Sequence, residues 1–263
     1  MDRTDVAYLV NSTPKYFYIL PFHFTLLKRY APECKWRVFF ATEALSHPIV
    51  TLIKKEFPFV EIIPLPQEKE GFLESRSLAT SLLPPEIKYV FPIQEDFLLE
   101  ARPIDFLIKK ALQFLDTDSE LHSVRLMPCP GPTGQLYNKP NSEFYFLKES
   151  DMLFSYQATM WKRNTFQHYM DFLLQSVGNV NAERAKYIAL SANIAEIKTG
   201  QDILKGFGGY HISIERLGKQ ANAVYLAPWP YRPTAVVRGS LQQWAIDLAS
   251  REGVSLDNGP SLR

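Results

Sequence analysis

The chain has little of what would tie it to several large functional classes. Its two cysteines, Cys34 and Cys129, stand far apart, with no metal-ligand spacing near either. A disulfide scaffold is excluded, and a cytoplasmic protein with two free thiols is the simplest reading. Charge of one sign is missing too: 29 Lys and Arg face 28 Asp and Glu. Nothing there suggests non-specific binding to nucleic acid or to an acidic membrane. No run approaches the ~18 continuous apolar residues of a membrane span. The opening MDRTDVAYLVNS is acidic and short in apolar run, unlike a signal peptide. There is no repeat of fixed period. Glycine concentrates once, in Gly206 to Tyr210, a stretch too short and badly placed for a dinucleotide fingerprint.

What is present is a globular composition, 46% hydrophobic, in 263 residues, long enough for a sizeable core. Strands are expected at Asp5 to Val10, Trp36 to Ala41 and Phe59 to Leu65. Between them lie a helix capped by Thr13 with Pro14 first and bent at Pro21, and a helix from His47 to Phe57. This β-α-β-α-β order argues for a parallel sheet. A charged loop, Gln67 to Glu74, leads to a helix over Ser75 to Leu83, with Arg76 in its first turn. A cation there opposes the helix dipole, which suits either a phosphate contact or a solvated arginine.

The stretch from Lys88 to Asp105 organises the rest. Lys88 to Ile93 reads as a buried strand after Pro84-Pro85, and two acids, Glu95 and Asp96, stand where its apolar run stops. Ligands of open α/β sheets bind outside the carboxyl ends of the strands, and paired acids there suit a hard cation that carries phosphates. Adjacent acids are also common at solvated turns. An amphipathic helix, Ile104 to Leu115, follows, then strands at His122 to Met127, Phe144 to Leu147 and Met152 to Met160. Strands no longer alternate with helices there, so the sheet becomes mixed. A helix capped by Asn164 is next, and another begins near Asn181. Glu183 lies in the first turn of the latter, on its apolar stripe, either a partner of the dipole or a carboxylate facing a cleft. An extended segment from Val224 to Val237 precedes a last helix, Ser240 to Arg251, and a frayed tail from Gly253.

The runs VNSTPKY, RVFFATE, YVFPIQEDFLLEARPID, SYQATMWKR and YRPTAVVRGS occur in an order that resembles small GT-A-fold glycosyltransferases. More narrowly, it resembles the compact enzymes of bacterial polysaccharide loci and of large DNA viruses. The likeness spans residues 6 to about 250. It rests on an opening strand with a nucleotide loop, a strand ending in E-D-F, a Q-x-x-x-W segment and a terminal R-G before a helix. Where the family's D-x-D would stand, this chain has Gln94-Glu95-Asp96.

The resemblance implies an α/β fold with a mixed, mostly parallel central sheet flanked by helices. It implies one catalytic domain over 1–252, with a donor-binding half to residue 100 and an acceptor-binding half after it. The implied activity is sugar transfer from a nucleotide-diphosphate sugar, UDP-sugar favoured, to a glycan or polysaccharide acceptor. It would be assisted by Mn²⁺ or Mg²⁺ and inverting. Asp96 would hold the cation directly and Glu95 through water. Asn11, Ser12, Thr13 and Tyr16 would line the base and ribose pocket, Gln94 would sit beside the donor, and Arg76 and Arg238 would contact the diphosphate. Arg125, Gln157 and Trp161 would form the acceptor floor, and Glu183 would be the base, ahead of Glu196 and Asp151. The alternatives are a nucleotidyltransferase that makes the donor and a non-catalytic sugar-binding module. The first lacks its glycine-rich activation loop after the first strand.

Overall fold

A computed structural model describes residues 1–66, 71–128, 132–137, 139, 142–148, 156–177, 210–214, 227–232, 234–237 and 239–256. β1 (Val6–Asn11), β2 (Arg37–Thr42) and β4 (Tyr89–Ile93) are nearly continuous apolar runs, because helices cover both faces of the sheet. β3 (Val60–Pro64) mixes buried and exposed residues, as suits an edge. β5 (Leu98–Leu99), β6 (Leu121–Arg125), β7 (Phe144–Phe146), β8 (Thr159–Lys162) and β9 (Tyr210–Ile214) follow, then β10 (Tyr231–Arg232), β11 (Val236–Val237) and β12 (Ser240–Leu241).

Among the described residues the main sheet has eight strands in the order β3-β2-β1-β4-β8-β6-β9-β7. β3, β2, β1 and β4 run parallel, β8 runs antiparallel to both β4 and β6, β9 is parallel to β6, and β7 closes the edge antiparallel. The expected mixed, mostly parallel sheet is therefore present. The chain leaves β1 toward β2 on one side and returns after β3 to pair β4 on the other. That reversal opens a crevice at the carboxyl ends of β1 and β4.

α1 (Leu20–Tyr30), α2 (Pro48–Glu56), α4 (Asp105–Thr117) and α6 (Gln243–Arg251) pack on one face. α3 (Phe72–Ser81) and α5 (Arg163–Val177) pack on the other and against each other. Trp229 enters the first core, stacked on Trp36 at 5.5 Å and edge-on to Phe91 at 5.0 Å. Full burial of such a ring, ~150–250 Å² at ~25 cal/mol per Å², contributes about 4–6 kcal/mol. The segment from Ala227 is thus part of the core.

Several expectations are corrected. Pro14–Ile19 is a 3-10 helix in which Thr13 makes no side-chain cap, and Pro21 sits in the first turn of α1 rather than at a bend. α3 starts at Phe72, so Arg76 is beyond its first turn. α5 starts at Arg163, so Asn164 is inside it. Arg163 holds the end of α3, its guanidinium donating to the carbonyls of Pro84 (2.6 Å) and Leu83 (2.7 Å). Of the expected Met152 to Met160 strand, residues 156–160 are described and only Thr159 and Met160 are strand, at the start of β8, and Ser240–Leu241 is strand rather than helix. No helix of the described residues is long and apolar enough to cross a membrane.

The tail is also ordered further than expected. Gly253 (φ 65°) follows the last turn of α6, its N–H bonding the Ser250 carbonyl at 3.1 Å. The Val254 N–H bonds the Ala249 carbonyl at 2.9 Å, which completes a Schellman cap, and Val254 and Leu256 pack on the core. Nothing crowds a Cβ at Gly253, so its positive φ alone resists substitution. Gly253→Ala should destabilise by about 1 kcal/mol in chemical denaturation. An unchanged midpoint would show that the cap carries no stability.

Candidate functional site

At the end of β4 the chain turns tightly, the Phe97 N–H bonding the Gln94 carbonyl at 3.1 Å, and enters β5. This turn carries Glu95 and Asp96, only 8% and 7% exposed. It is clamped from two sides. On one, His23 of α1 meets the Glu95 carbonyl through Nδ1 at 3.0 Å and the Tyr8 hydroxyl through Nε2 at 2.8 Å. A carbonyl only accepts, so Nδ1 carries the proton and the Tyr8 hydroxyl donates to Nε2. Burial pushes the His23 pKa down to about 4, which keeps this neutral tautomer at pH 7. On the other side the Ala235 N–H bonds the Asp96 carbonyl (2.9 Å) and the Val236 N–H bonds Asp96 Oδ2 (3.2 Å). Phe97 stacks on Tyr231 at 4.8 Å.

Two carboxylates held out of water resist ionisation. Burial pushes Asp96 up to about 6, against the pull of the Val236 N–H and of its own N–H. Burial pushes Glu95 up to about 7; the charge of Asp96 adds to this, while its own N–H, Arg76 and Ser12 oppose it. The Ser12 hydroxyl is near enough to act on Glu95, yet it has no hydrogen bond of ordinary geometry. The buried Tyr18 hydroxyl has none either, and the charges of Tyr16, Asp96 and Glu95 add to burial in raising its pKa.

Among the described residues no group of three or more His, Cys, Asp or Glu is placed to hold a metal ion. The donor set at the turn is instead two adjacent carboxylates. That number fits a hard cation that takes one or two protein oxygens and completes its shell with phosphate and water.

Beside the turn lies a narrow cleft on the α3–α5 face of the sheet, with room for about one water molecule in its enclosed part. Asn11 from the end of β1, Gln94 from the end of β4, Arg76 from α3, and Tyr156, Gln157 and Trp161 at the entry to β8 line it. Asn11 is fixed by its Nδ2–H to the Ser75 carbonyl (3.2 Å). The Arg76 guanidinium lies 3.5 Å over the Phe72 ring, with Nη1 on the Phe72 carbonyl (3.2 Å). Gln157 Oε1 accepts from the Tyr231 hydroxyl, which in turn accepts from the Ala158 N–H at 2.9 Å.

Of the residues expected at the site, Asn11, Arg76, Gln94, Gln157 and Trp161 line one cleft, with Ser12, Glu95 and Asp96 beside it. Thr13 is exposed at the head of the 3-10 helix, and Tyr16 has the Lys15 ammonium 5.1 Å over its ring. Two residues expected on the acceptor floor are deeply buried. Trp161 is 1% exposed, stacked on Tyr169 at 6.1 Å, so it presents no ring face to solvent. Arg125 is also 1% exposed and lies outside the cleft lining. Glu183, Arg238, Glu196 and Asp151 lie outside the described residues, as does Cys129. The sequence reading missed Tyr18, His23, Tyr156 and Tyr231. Tyr18 and His23 are rings in apolar runs, where they are indistinguishable from core, and Tyr156 and Tyr231 stand in short stretches with no local signal of their own.

No family model matches the chain, and no curated protein does. Among solved structures it is similar to mannosyltransferase PcManGT from Pyrobaculum calidifontis in complex with GDP-Man and Mn²⁺. Identity is 13% and the TM-score 0.46, over 85% of this chain and 60% of that one. It is also similar to S. aureus TarS 1-349 in complex with UDP-GlcNAc, at 13% identity and TM-score 0.38, over 65% of this chain and 46% of TarS. A third is the 4-diphosphocytidyl-2C-methyl-D-erythritol synthase of Anaerococcus prevotii DSM 20548, at 9% identity and TM-score 0.42, over 77% and 96%. The chain thus spans less than two thirds of the length of either glycosyltransferase.

The raised pKa values make a signed prediction for the metal-free protein. An acid whose pKa is raised on folding stabilises the fold fully below its unfolded value, and that contribution is lost as pH rises through the folded value. For Glu95 the window runs from 4.5 to about 7. Glu95→Gln should match wild type at pH 4 and exceed it at pH 8 by a few kcal/mol, on the order of 1–3. Melting curves across pH in the presence of a chelator would show it. Parallel profiles for the two proteins would mean that Glu95 ionises normally.

Proposed function

We propose that the chain is a GT-A-like glycosyltransferase that moves a sugar from a nucleotide-diphosphate sugar, UDP-sugar favoured, to a glycan or polysaccharide acceptor. One observation carries this reading: a buried acid pair with raised pKa values stands at the sheet's switch point, beside a cleft whose cation is Arg76. Such acids are held ready for a cation, and the ligand that brings a cation together with further acidic oxygens is a diphosphate. A bound Mn²⁺ or Mg²⁺ supplies charge neutralisation on the leaving diphosphate.

The chain's own residues have separate tasks. Asp96 and Glu95 provide the cation's protein oxygens, and the His23 and Val236 bonds fix their turn. Arg76, packed on Phe72, lends a fixed guanidinium to the phosphates. Asn11 and Gln94 orient the donor at the strand ends. Gln157, held by Tyr231, faces the acceptor. The acceptor's proton is assigned to Glu183 on its place in the sequence, an acid on an apolar helical stripe after the Trp161 segment.

Calorimetry with UDP, GDP and CDP, with and without Mn²⁺, tests the reading. One of them should bind in a Mn²⁺-dependent way, and Asp96→Asn should weaken that binding by at least about tenfold, ~1.4 kcal/mol. Equal binding by Asp96→Asn, or binding indifferent to Mn²⁺, would remove the acid pair from the site.

A further inference from the structure

Tyr18 sits in the 3-10 helix Pro14–Ile19, which leaves the carboxyl end of β1 beside the acid turn. Its ring is partly buried against the core, and its hydroxyl is buried with no hydrogen-bond partner. The buried hydroxyls of three other tyrosines are bonded: Tyr8 to His23, Tyr137 to Asp118, and Tyr231 to Gln157 and Ala158. A buried hydroxyl without a partner costs the fold its desolvation, and an acceptor that arrives from outside would offset that cost. Asp96 and Glu95 act on it electrostatically but do not accept from it. Ser12, whose hydroxyl acts on Glu95, flanks the same acids. Two hydroxyl donors around a pair of carboxylates describe a place for a ligand with its own acidic oxygens and a cation to reconcile them with the acids.

We propose that the Tyr18 hydroxyl is a binding group for the diphosphate, donating a hydrogen bond to a phosphate oxygen of a nucleoside diphosphate seated at the acid turn. This rests on the transferase reading above. It gives Tyr18 a role that the structure of the free protein does not use. Removing a bonded tyrosine hydroxyl destabilises a fold; removing an unpartnered one does not. Tyr18→Phe should therefore keep or raise the melting temperature of the ligand-free protein. It should also weaken binding of a nucleoside diphosphate in Mn²⁺ roughly ten- to a hundred-fold, the value of a hydrogen bond to a charged acceptor. Tyr89→Phe is the contrasting variant. Its hydroxyl bonds Asp116 at 2.6 Å near the amino end of β4, away from the cleft. It should lower the melting temperature and leave nucleotide affinity unchanged.

The experiment is calorimetry of wild type and both variants with UDP, GDP and CDP in Mn²⁺, beside melting curves without ligand. Affinity lost in Tyr18→Phe with stability kept supports the assignment. Wild-type binding that survives in Tyr18→Phe overturns it while leaving the transferase reading in place. A melting temperature that falls in Tyr18→Phe as it does in Tyr89→Phe, with affinity unchanged, makes Tyr18 a structural residue. Failure of wild type to bind any of the three nucleotides overturns both readings together.

Discussion

The acid turn after β4 keeps two carboxylates out of water, and much of the molecule is arranged to tolerate this. A carboxylate in such a place ionises late, and a second beside it later still, as the raised values of Asp96 and Glu95 reflect. The turn would be expected to spring open to solvent were it not fixed on both sides. Tyr8, His23 and the Glu95 carbonyl form a neutral hydrogen-bonded chain from the core to the turn. From the other side the backbone of Ala235 and Val236 bonds Asp96, and Trp229 and Tyr231 anchor that segment in the core. The last third of the chain is thus tied to the first through the acids.

This arrangement explains why the cleft is shared between distant parts of the sequence. Asn11 and Gln94 come from neighbouring parallel strands, at the point where the strand order reverses. Gln157 comes from the approach to an antiparallel strand and is held by Tyr231 from the far end of the chain. Tyr231 both stacks on Phe97 of the acid turn and fixes Gln157, so one ring ties the acid turn to the lining of the cleft. A displacement of the C-terminal segment would move both together.

The first half of the fold could be read from sequence because its signals are local. Apolar runs such as VAYLVN and YVFPI mark strands buried on both faces, and the acids declare themselves by following one of them. The sequence puts Arg76 in the wrong turn because the true start of α3, after Gly71, carries no side-chain cap and follows a charged stretch of sequence. The clamps were invisible for a different reason. His23 meets Glu95 across 72 residues and Tyr231 meets Gln157 across 74, and no pattern within a window of either partner encodes such a contact. The sequence alone does not show whether the faces of Trp161 are open, and its neighbours Tyr169 and Phe166 decide that they are covered.

The central claim is that the acid pair is poised for a cation that arrives with phosphates. Carbon-13 NMR of the side-chain carboxyl carbons reads it directly, in the free protein and with Mg²⁺ plus the bound nucleoside diphosphate. The account predicts that Glu95 titrates near 7 when free and falls to or below the ordinary carboxylate range when both are bound. A free-protein midpoint near 4.5, unmoved by cation and nucleotide, would contradict it.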